Sequence, residues 1–198
     1  MATVSAETVK KLRDRTGLGM MDCKKALEEA GGDLAKAEEI LRKQGLKAAE
    51  LRASRGTKEG RIGHYIHLNS KIGVLVELAC ETDFVARNAE FEKLLKDLCM
   101  QVAAQRPLYV APENIPADVM ARERDIQAAQ VKGKPANIVD KIVEGKLKDF
   151  YKQVCLLEQP FIKDPSVTIR EMVSALNAKL GENIVVRRFA RLEVGEEV

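Results

Sequence analysis

The feature that most constrains this chain is a run of β-branched and apolar residues at positions 72–78, Ile-Gly-Val-Leu-Val-Glu-Leu. A run of this composition predicts a buried β-strand. Shortly after it, apolar residues recur at helical spacing, which predicts a helix with Asn88 as its N-cap. The residues that carry this spacing are Phe91, Leu94, Leu95, Leu98 and Val102. The connection between strand and helix contains Thr-Asp-Phe-Val at 82–85, so two apolar side chains stand where polar ones are usual.

The connection at 82–85 allows two interpretations. In the first, Asp83 caps a short turn and Phe84 covers the local core, which is the commoner arrangement because helix starts often carry Asp. In the second, Phe84 is a rigidly mounted aromatic side chain that enters a partner protein, as aromatic residues at the centres of interfaces do. The spacing alone favours the first interpretation and does not exclude the second.

The N-terminal residues predict a small bundle of three helices. The first covers residues 4–16 with Ser5 as its N-cap, and the second covers residues 22–30. The third begins after Asp33 and is expected to end at Gly45. Three short helices joined by glycine turns bury little surface, so a unit of this size is only marginally stable alone.

Residues 47–55 are rich in alanine and in charge, which predicts an exposed helical linker and a domain boundary. The predicted domains are therefore 1–55, a three-helix module with its linker, and 56–198, a larger core. Within the core, strands are expected over 61–68, 72–78 and 184–194. Helices are expected after Asn88, from Pro116 to about 130, up to Gly145, over 147–157 and between Thr168 and Gly181, with a loop over 159–165. This pattern predicts an α+β fold in which an antiparallel three-stranded sheet packs with helices.

The composition limits the classes of partner. A net charge of +3 over 198 residues does not indicate a general nucleic-acid binder. The absence of Trp, with five Phe and three Tyr, leaves few side chains on which bases could stack. No apolar run approaches the ~18 residues of a membrane span, and the N-terminus lacks the pattern of a signal peptide. We therefore expect a soluble, cytoplasmic protein with no membrane contact and no direct nucleic-acid partner.

No group of residues predicts catalysis or a metal site. His64 and His67 are three residues apart on a predicted strand, so they lie on opposite faces and cannot share a metal. The glycines at 56, 60 and 63 lack the ending of a phosphate-binding loop, and no serine stands in a nucleophile-elbow pattern. The cysteines form no C-x-x-C pair and fit buried thiols in a reducing compartment; they are Cys23, Cys80, Cys99 and Cys155. We expect no enzyme, no metal and no cofactor.

Two surface features leave alternatives open. Basic residues of the last predicted strand could contact phosphates together with those of the first helix, which makes an RNA-binding accessory the competing function. Alternation along the strand splits its arginines between two faces, which favours solvated or sheet-edge roles. The residues concerned are Lys10, Lys11, Arg13, Arg15, Arg187, Arg188 and Arg191. Met20 and Met21 fit either core positions or an adaptable contact with a partner.

Three blocks of sequence go beyond these general patterns. They are LRDRTGLGMMDCKKAL at 12–27, CETDFVARN at 80–88 and GENIVVRR at 181–188. In this order they closely resemble the translation elongation factor Ts family, and the resemblance covers essentially the whole chain. The first two blocks are very specific, and the third is supportive. The resemblance implies a guanine-nucleotide exchange factor for the GTPase elongation factor Tu.

The resemblance also implies which residues bind that partner. Residues 1–55 are similar to a ubiquitin-associated module that docks on the nucleotide domain of elongation factor Tu, and Arg13, Met20 and Met21 match positions in that contact. The chain has one copy of the sheet-plus-motif core and no evident coiled-coil insertion, which is similar to short family members that form homodimers.

The second block carries the implied exchange mechanism. The segment from Thr82 to Val85 matches the family segment that inserts beside the magnesium site of elongation factor Tu, with Asp83 and Phe84 as the intruding pair. Displacement of Mg²⁺ would promote GDP release so that GTP can bind, without any cofactor of this chain.

Overall fold

A computed structural model describes residues 4–52, 54–131 and 136–196, with the backbone alone for 46–51 and 136–138. Within these residues the α-helices are α1 Ala6–Thr16, α2 Met20–Glu29, α3 Leu34–Arg52, α4 Asp83–Ala86, α5 Ala89–Gln105, α6 Ala117–Ala129, α7 Ala136–Val154 and α8 Ile169–Leu180. The strands are β1 Glu59–Ile66, β2 Ile72–Cys80, β3 Pro160–Phe161, β4 Asp164–Thr168 and β5 Val185–Glu193. Short 3₁₀ turns lie at Pro112–Asn114 and Leu156–Glu158.

The predicted α+β class is confirmed. Strands β1, β2 and β5 form an antiparallel three-stranded sheet with β2 in the centre. The turn between β1 and β2 is closed by the His67 amide, which donates to the Ile72 carbonyl at 2.9 Å, and Ser70 adopts a positive φ of 55° in it. The strand predicted to be buried is buried on one face only at its centre, since Val74 and Val76 are buried and Leu75 between them is exposed. Successive side chains of a strand point to opposite faces of the sheet, and here one face is open to solvent.

Helices α1, α2 and α3 pack around one small apolar core. Its buried side chains are Val9, Leu12, Cys23, Ala26, Leu27, Ala37 and Leu41. The Ser5 hydroxyl caps α1 by accepting from the Thr8 amide at 3.1 Å, as predicted. Gly17 ends α1 in the left-handed conformation, with φ of 69°. The Asp33 carboxylate accepts from the amides of Ala35 and Lys36 at the start of α3.

Two predicted boundaries in this region are wrong. Helix α2 begins at Met20 and not at Asp22, and α3 does not end at Gly45 but continues to Arg52. One glycine inside a helix costs only about 1 kcal/mol relative to alanine, which does not suffice to end it. A Cβ on Gly45 would lie 3.4 Å from the Cβ of Ala178. The glycine therefore allows close packing and does not act as a helix stop.

The contacts within the chain divide it into two compact units. The first comprises 1–61, 79–92 and 171–185, and the second comprises 62–78, 93–170 and 186–198. The first unit contains the three-helix bundle together with segments from later in the chain. The sequence-based division into domains 1–55 and 56–198 stays a prediction about the folding units.

Two further expectations about the core are wrong. Helix α7 runs through Gly145, where a break between two helices was expected. The expected loop at 159–165 contains β3 and the start of β4, which pair in antiparallel fashion. Gln101 of α5 is fully buried and supports this hairpin, because its side-chain oxygen accepts from the Ile162 amide at 2.9 Å. Its amide nitrogen donates to Gln159 Oε1 and to the Pro160 carbonyl, both at 3.1 Å.

We expect Gln101→Leu to lower the free energy of unfolding by about 2–3 kcal/mol, because buried polar groups of the hairpin would lose their partner. Urea denaturation followed by circular dichroism measures the loss. The matched control is Gln127→Leu, since Gln127 is only partly buried and bonds to Glu123 on its own helix. A loss as small as the control's, within about 0.5 kcal/mol, would contradict the structural role assigned to Gln101.

Candidate functional site

The residues after strand β2 form a single helical turn that Thr82 caps. Thr82 has extended backbone dihedrals, φ of −127° and ψ of 154°, and its hydroxyl oxygen accepts from the Val85 amide at 3.4 Å. Asp83 is the first residue inside α4, and its carboxylate accepts from Arg87 Nη2 at 2.8 Å. The capping role considered for Asp83 therefore belongs to Thr82, and the Asp83 carboxylate lies on the surface.

Helix α4 separates buried from exposed side chains within four residues. Val85 and Ala86 are buried, with relative exposures of 6% and 4%. Phe84 is 80% exposed. The interpretation in which Phe84 covers the local core is therefore wrong. The turn holds its inner face in the apolar interior and presents a phenyl ring with a neighbouring carboxylate to solvent.

The start of α4 is held by residues from the far end of the chain. The Glu182 carboxylate accepts from the amides of Glu81 and Thr82, both at 3.1 Å, and from the Thr82 hydroxyl at 2.6 Å. In return, the Glu81 carboxylate accepts from the Asn183 amide at 2.7 Å. No motif or spacing in the sequence indicates a role for Glu182. Its only signal was its place in the third block of resemblance, directly after the helix-ending Gly181.

Cys80 lies directly behind this turn and is fully buried. Its Sγ donates to the Thr82 carbonyl at 3.1 Å. Burial raises the pKa of the Cys80 thiol to about 11, and the Glu182 carboxylate adds to the increase. The thiol is therefore protonated at neutral pH and acts as a weak hydrogen-bond donor under the turn.

The residues predicted for the N-terminal contact all lie on the surface of the three-helix bundle. Arg13 is exposed on α1. Met20 and Met21 form the start of α2 and are 45% and 62% exposed. The interpretation of this pair as core residues is therefore wrong. Flexible, polarizable methionine side chains on a surface are typical of contacts that adapt to a partner.

Two arginines of the last strand, Arg188 and Arg191, are paired with carboxylates. Arg188 Nε lies 2.7 Å from Glu77 Oε2. The Arg191 side chain is mostly buried and contacts Glu193 and Glu196 at 2.6 and 2.9 Å. These pairs neutralise the charge of Arg188 and Arg191, which an RNA backbone would need, so the contacts of these two residues do not favour the RNA-binding alternative.

The described residues contain neither a cluster of metal-ligating side chains nor a helix that could span a membrane. No cluster of three or more His, Cys, Asp and Glu side chains that could hold a metal ion occurs in 4–52, 54–131 or 136–196. His67 instead contacts the Tyr65 hydroxyl at 2.9 Å through Nδ1. In the same part of the chain, every helix is too short or too polar to span a bilayer.

Comparison with known proteins agrees with the three sequence blocks. A family model described as "Elongation factor TS" matches residues 24–196. The chain belongs to the elongation factor Ts family. The resemblance stated from the sequence is thereby confirmed, and the family makes this chain an elongation factor of protein biosynthesis.

Individual members of the elongation factor Ts family are similar along nearly the whole chain. The protein named elongation factor Ts from Caldanaerobacter subterraneus subsp. tengcongensis is 54% identical over 197 residues, which cover 98% of both chains. Its counterpart from Thermotoga petrophila is 56% identical over 193 residues, 98% of this chain and 97% of that protein. One from an Anaeromyxobacter species is 56% identical over 198 residues, 99% of this chain and 90% of that protein.

We expect the thiols of the native protein to react very slowly with Ellman's reagent at pH 8. All four cysteines are buried, and burial raises the pKa of Cys80, Cys99 and Cys155 to about 11. The reactive thiolate is then about one thousandth of each of these thiols at pH 8. Unfolding in guanidinium chloride should release four fast-reacting thiols. A rapidly reacting thiol in the native protein that mass spectrometry assigns to Cys80 would contradict the packing under α4.

The raised pKa values of Cys80, Cys99 and Cys155 predict that the folded protein loses stability at alkaline pH. Their folded pKa lies above the ordinary value of 9.0. Their contribution to stability is therefore complete below pH 9 and decreases as the pH rises towards 11.

Proposed function

We propose that this protein is a guanine-nucleotide exchange factor for elongation factor Tu that acts through the segment Thr82–Val85. Family membership supports the general role. The observation that carries the proposal is the 80% exposure of Phe84 on a turn that is capped and anchored from beneath. An aromatic side chain held in this way is suited to the centre of a protein interface.

The proposed mechanism is thermodynamic linkage. A factor that binds the nucleotide-free GTPase more tightly than the nucleotide-bound form must, reciprocally, weaken nucleotide binding. Phe84 and the neighbouring Asp83 carboxylate enter the partner beside its magnesium site. Loss of Mg²⁺ removes the charge that neutralises the GDP phosphates, and GDP is then released. GTP binds to the emptied site by mass action. No covalent bond is made or broken, so the protein is not an enzyme in the chemical sense.

Phe84 cannot supply all of the coupling energy. Burial of a phenyl side chain contributes roughly 1.5–3 kcal/mol, and about 1.4 kcal/mol corresponds to a tenfold change in affinity. The remainder comes from other surfaces of the chain. We propose that residues 1–55 form a docking module for the nucleotide domain of the GTPase. In this module Arg13, Met20 and Met21 contact the partner, and the core 56–198 contributes the inserting turn.

Phe84→Ala is expected to slow stimulated GDP release at least ~10-fold, the scale expected for loss of a central interface anchor. The measurement is release of a fluorescent GDP analogue from elongation factor Tu as a function of factor concentration. The fold should be unaffected, because the ring is exposed. The matched control is Leu108→Ala, which removes another exposed apolar side chain, on the segment after α5.

Two outcomes would count against this proposal. A wild-type protein that leaves the rate of GDP release unchanged would exclude the exchange function. A Phe84→Ala variant as active as the Leu108→Ala control would exclude Phe84 as the driver.

The salt dependence of partner binding tests the RNA-binding alternative. Affinity for an RNA backbone would fall steeply as the salt concentration rises, whereas affinity at an aromatic-anchored protein contact would fall less.

We also propose that the protein forms a homodimer through the outer face of the three-stranded sheet. Large apolar side chains stand exposed on that face of β1, β2 and β5, at Ile62, Ile66, Leu75 and Leu192. Apolar side chains grouped on a sheet face are typical of a protein interface. The ion pair of Arg188 with Glu77 lies beside them and adds a polar element to the same surface.

Sedimentation velocity should give a mass of about twice the 21.9 kDa of one chain. Leu75→Glu should yield the monomer, because a carboxylate would then be buried without a partner at the centre of the interface. Leu108→Glu carries the same change outside the sheet and should remain dimeric. A wild-type monomer at all concentrations would contradict the dimer, and a dimeric Leu75→Glu variant would place the interface elsewhere.

The cytoplasm is the compartment we propose, because translation elongation takes place there.

A further inference from the structure

One carboxylate secures the start of the helical turn that carries Phe84. Glu182 accepts three hydrogen bonds, from the backbone amides of Glu81 and Thr82 and from the Thr82 hydroxyl. Carboxylate acceptors make stronger hydrogen bonds than neutral ones. The Thr82 hydroxyl donates its O–H to Glu182, and its oxygen also accepts from the Val85 amide. A continuous chain of hydrogen bonds therefore joins Glu182 to the interior of α4, and each bond polarises the next.

Glu182 is itself held in place from both sides. Before it, Gly181 ends α8 with a positive φ of 74°, and its amide donates to the Asn177 carbonyl at 3.0 Å. After it, the amides of Asn183 and Ile184 donate to Glu81 at 2.7 Å and to the buried Asn177 side chain at 3.2 Å. The carboxylate thus acts from a rigid support.

Helix α4 needs such a support. An isolated turn of four residues is unstable, because nucleation of a helix is unfavourable and short helices gain few hydrogen bonds. Phe84 cannot stabilise the turn by packing, since most of its surface is exposed. The direction of the ring therefore depends on the backbone beneath it, which the Thr82 cap and the buried Val85 side chain hold.

We propose that Glu182 is a positioning residue for nucleotide exchange, acting through Thr82 to hold Phe84 in the orientation that the partner receives. This inference rests on the proposed exchange function. A preorganised turn binds better than a mobile one, because the cost of ordering it has been met during folding. Glu182 makes no contact with the partner in this scheme, and its whole effect passes through the Phe84 ring.

A purely structural role for Glu182 has a different signature. If its loss only reduced the amount of folded protein, activity would fall by the same factor whether or not Phe84 were present. If Glu182 positions Phe84, its loss should matter only while the ring is there. A double-mutant cycle separates the two cases, because it measures the coupling between two residues.

The experiment measures stimulated GDP-analogue release for wild type, Glu182→Ala, Phe84→Ala and the double variant. We expect Glu182→Ala to lower the exchange rate about 3–10-fold in the wild-type background and by less than about 1.5-fold in the Phe84→Ala background. Glu182→Gln should restore most of the rate, because its amide oxygen can accept from the two backbone amides and its nitrogen can donate to the Thr82 hydroxyl. The control is Asp118→Ala, which removes an exposed carboxylate paired with Arg122 on α6.

A second readout does not depend on activity. Hydrogen exchange of the Glu81 and Thr82 amides, followed by NMR, should accelerate at least ~10-fold in Glu182→Ala while amides in the middle of α5 keep their protection. If Glu182→Ala does not fold, Glu182→Asp replaces it, because a side chain shorter by one methylene keeps the charge but cannot reach all three donors.

The outcomes are distinguishable. The positioning role would be overturned if Glu182→Ala lowered the rate of GDP release equally with and without Phe84, or if hydrogen exchange of the two amides were unchanged. Either result would leave the nucleotide-exchange function intact. A wild-type protein without exchange activity would remove the proposed function and this inference with it. The inference is supported if Glu182→Ala lowers the exchange rate only in the protein that retains Phe84. Faster exchange of the two amides, and recovery of the exchange rate in Glu182→Gln, complete that result.

Discussion

An exposed aromatic side chain keeps a defined position only if the backbone beneath it is fixed. In this protein that condition is met by the hydrogen bonds between Glu182, Thr82 and Val85, together with burial of the inner face of α4. The turn is too short to be stable by itself, so its order comes from residues about a hundred positions away in sequence. The buried, protonated Cys80 thiol adds a donor to the Thr82 carbonyl from below. The proposed functions of Phe84 and Glu182 both depend on this arrangement.

The energetics explain why an exchange factor would be built in this way. The ring alone contributes roughly 1.5–3 kcal/mol on burial, which corresponds to a modest shift between the nucleotide-bound and nucleotide-free partner. Preorganisation preserves that contribution, because less of it is lost in ordering the turn during binding. The exposed methionines at the start of α2 are suited to a different task. They can adapt to a surface, so they would add affinity without demanding one geometry.

Much of the site could be predicted from the sequence because its signals are local. The aromatic residue at 84 stands between an apolar run and a helical pattern, and the three blocks of resemblance are contiguous stretches of chain. The spacing alone favours a Phe84 that covers the core, and only the resemblance points to an inserting side chain. What local patterns could not provide is the acceptor for the Thr82 hydroxyl, since no spacing rule connects residues 82 and 182. The assignment of the cap to Asp83 failed for the same reason. Both Thr and Asp are good N-caps, and tertiary contacts with Glu182 select Thr82.

The helix boundaries show the same contrast between local sequence signals and tertiary packing. The glycines at 45 and 145 were expected to end helices, yet α3 and α7 run through them, because packing elsewhere along each helix outweighs the small local cost. The hairpin of β3 and β4 was missed because its strands are very short and are held by the side chain of Gln101 on a distant helix.

The sequence by itself determined the α+β class, the elongation factor Ts family and the position of the turn at 82–85, since all three are encoded in periodicity or in contiguous motifs. Only the tertiary structure decided that Phe84 faces solvent while Val85 and Ala86 face inward, and that Glu182 holds the turn. Those facts depend on contacts between residues far apart in the chain, and such contacts leave no periodic trace in the sequence.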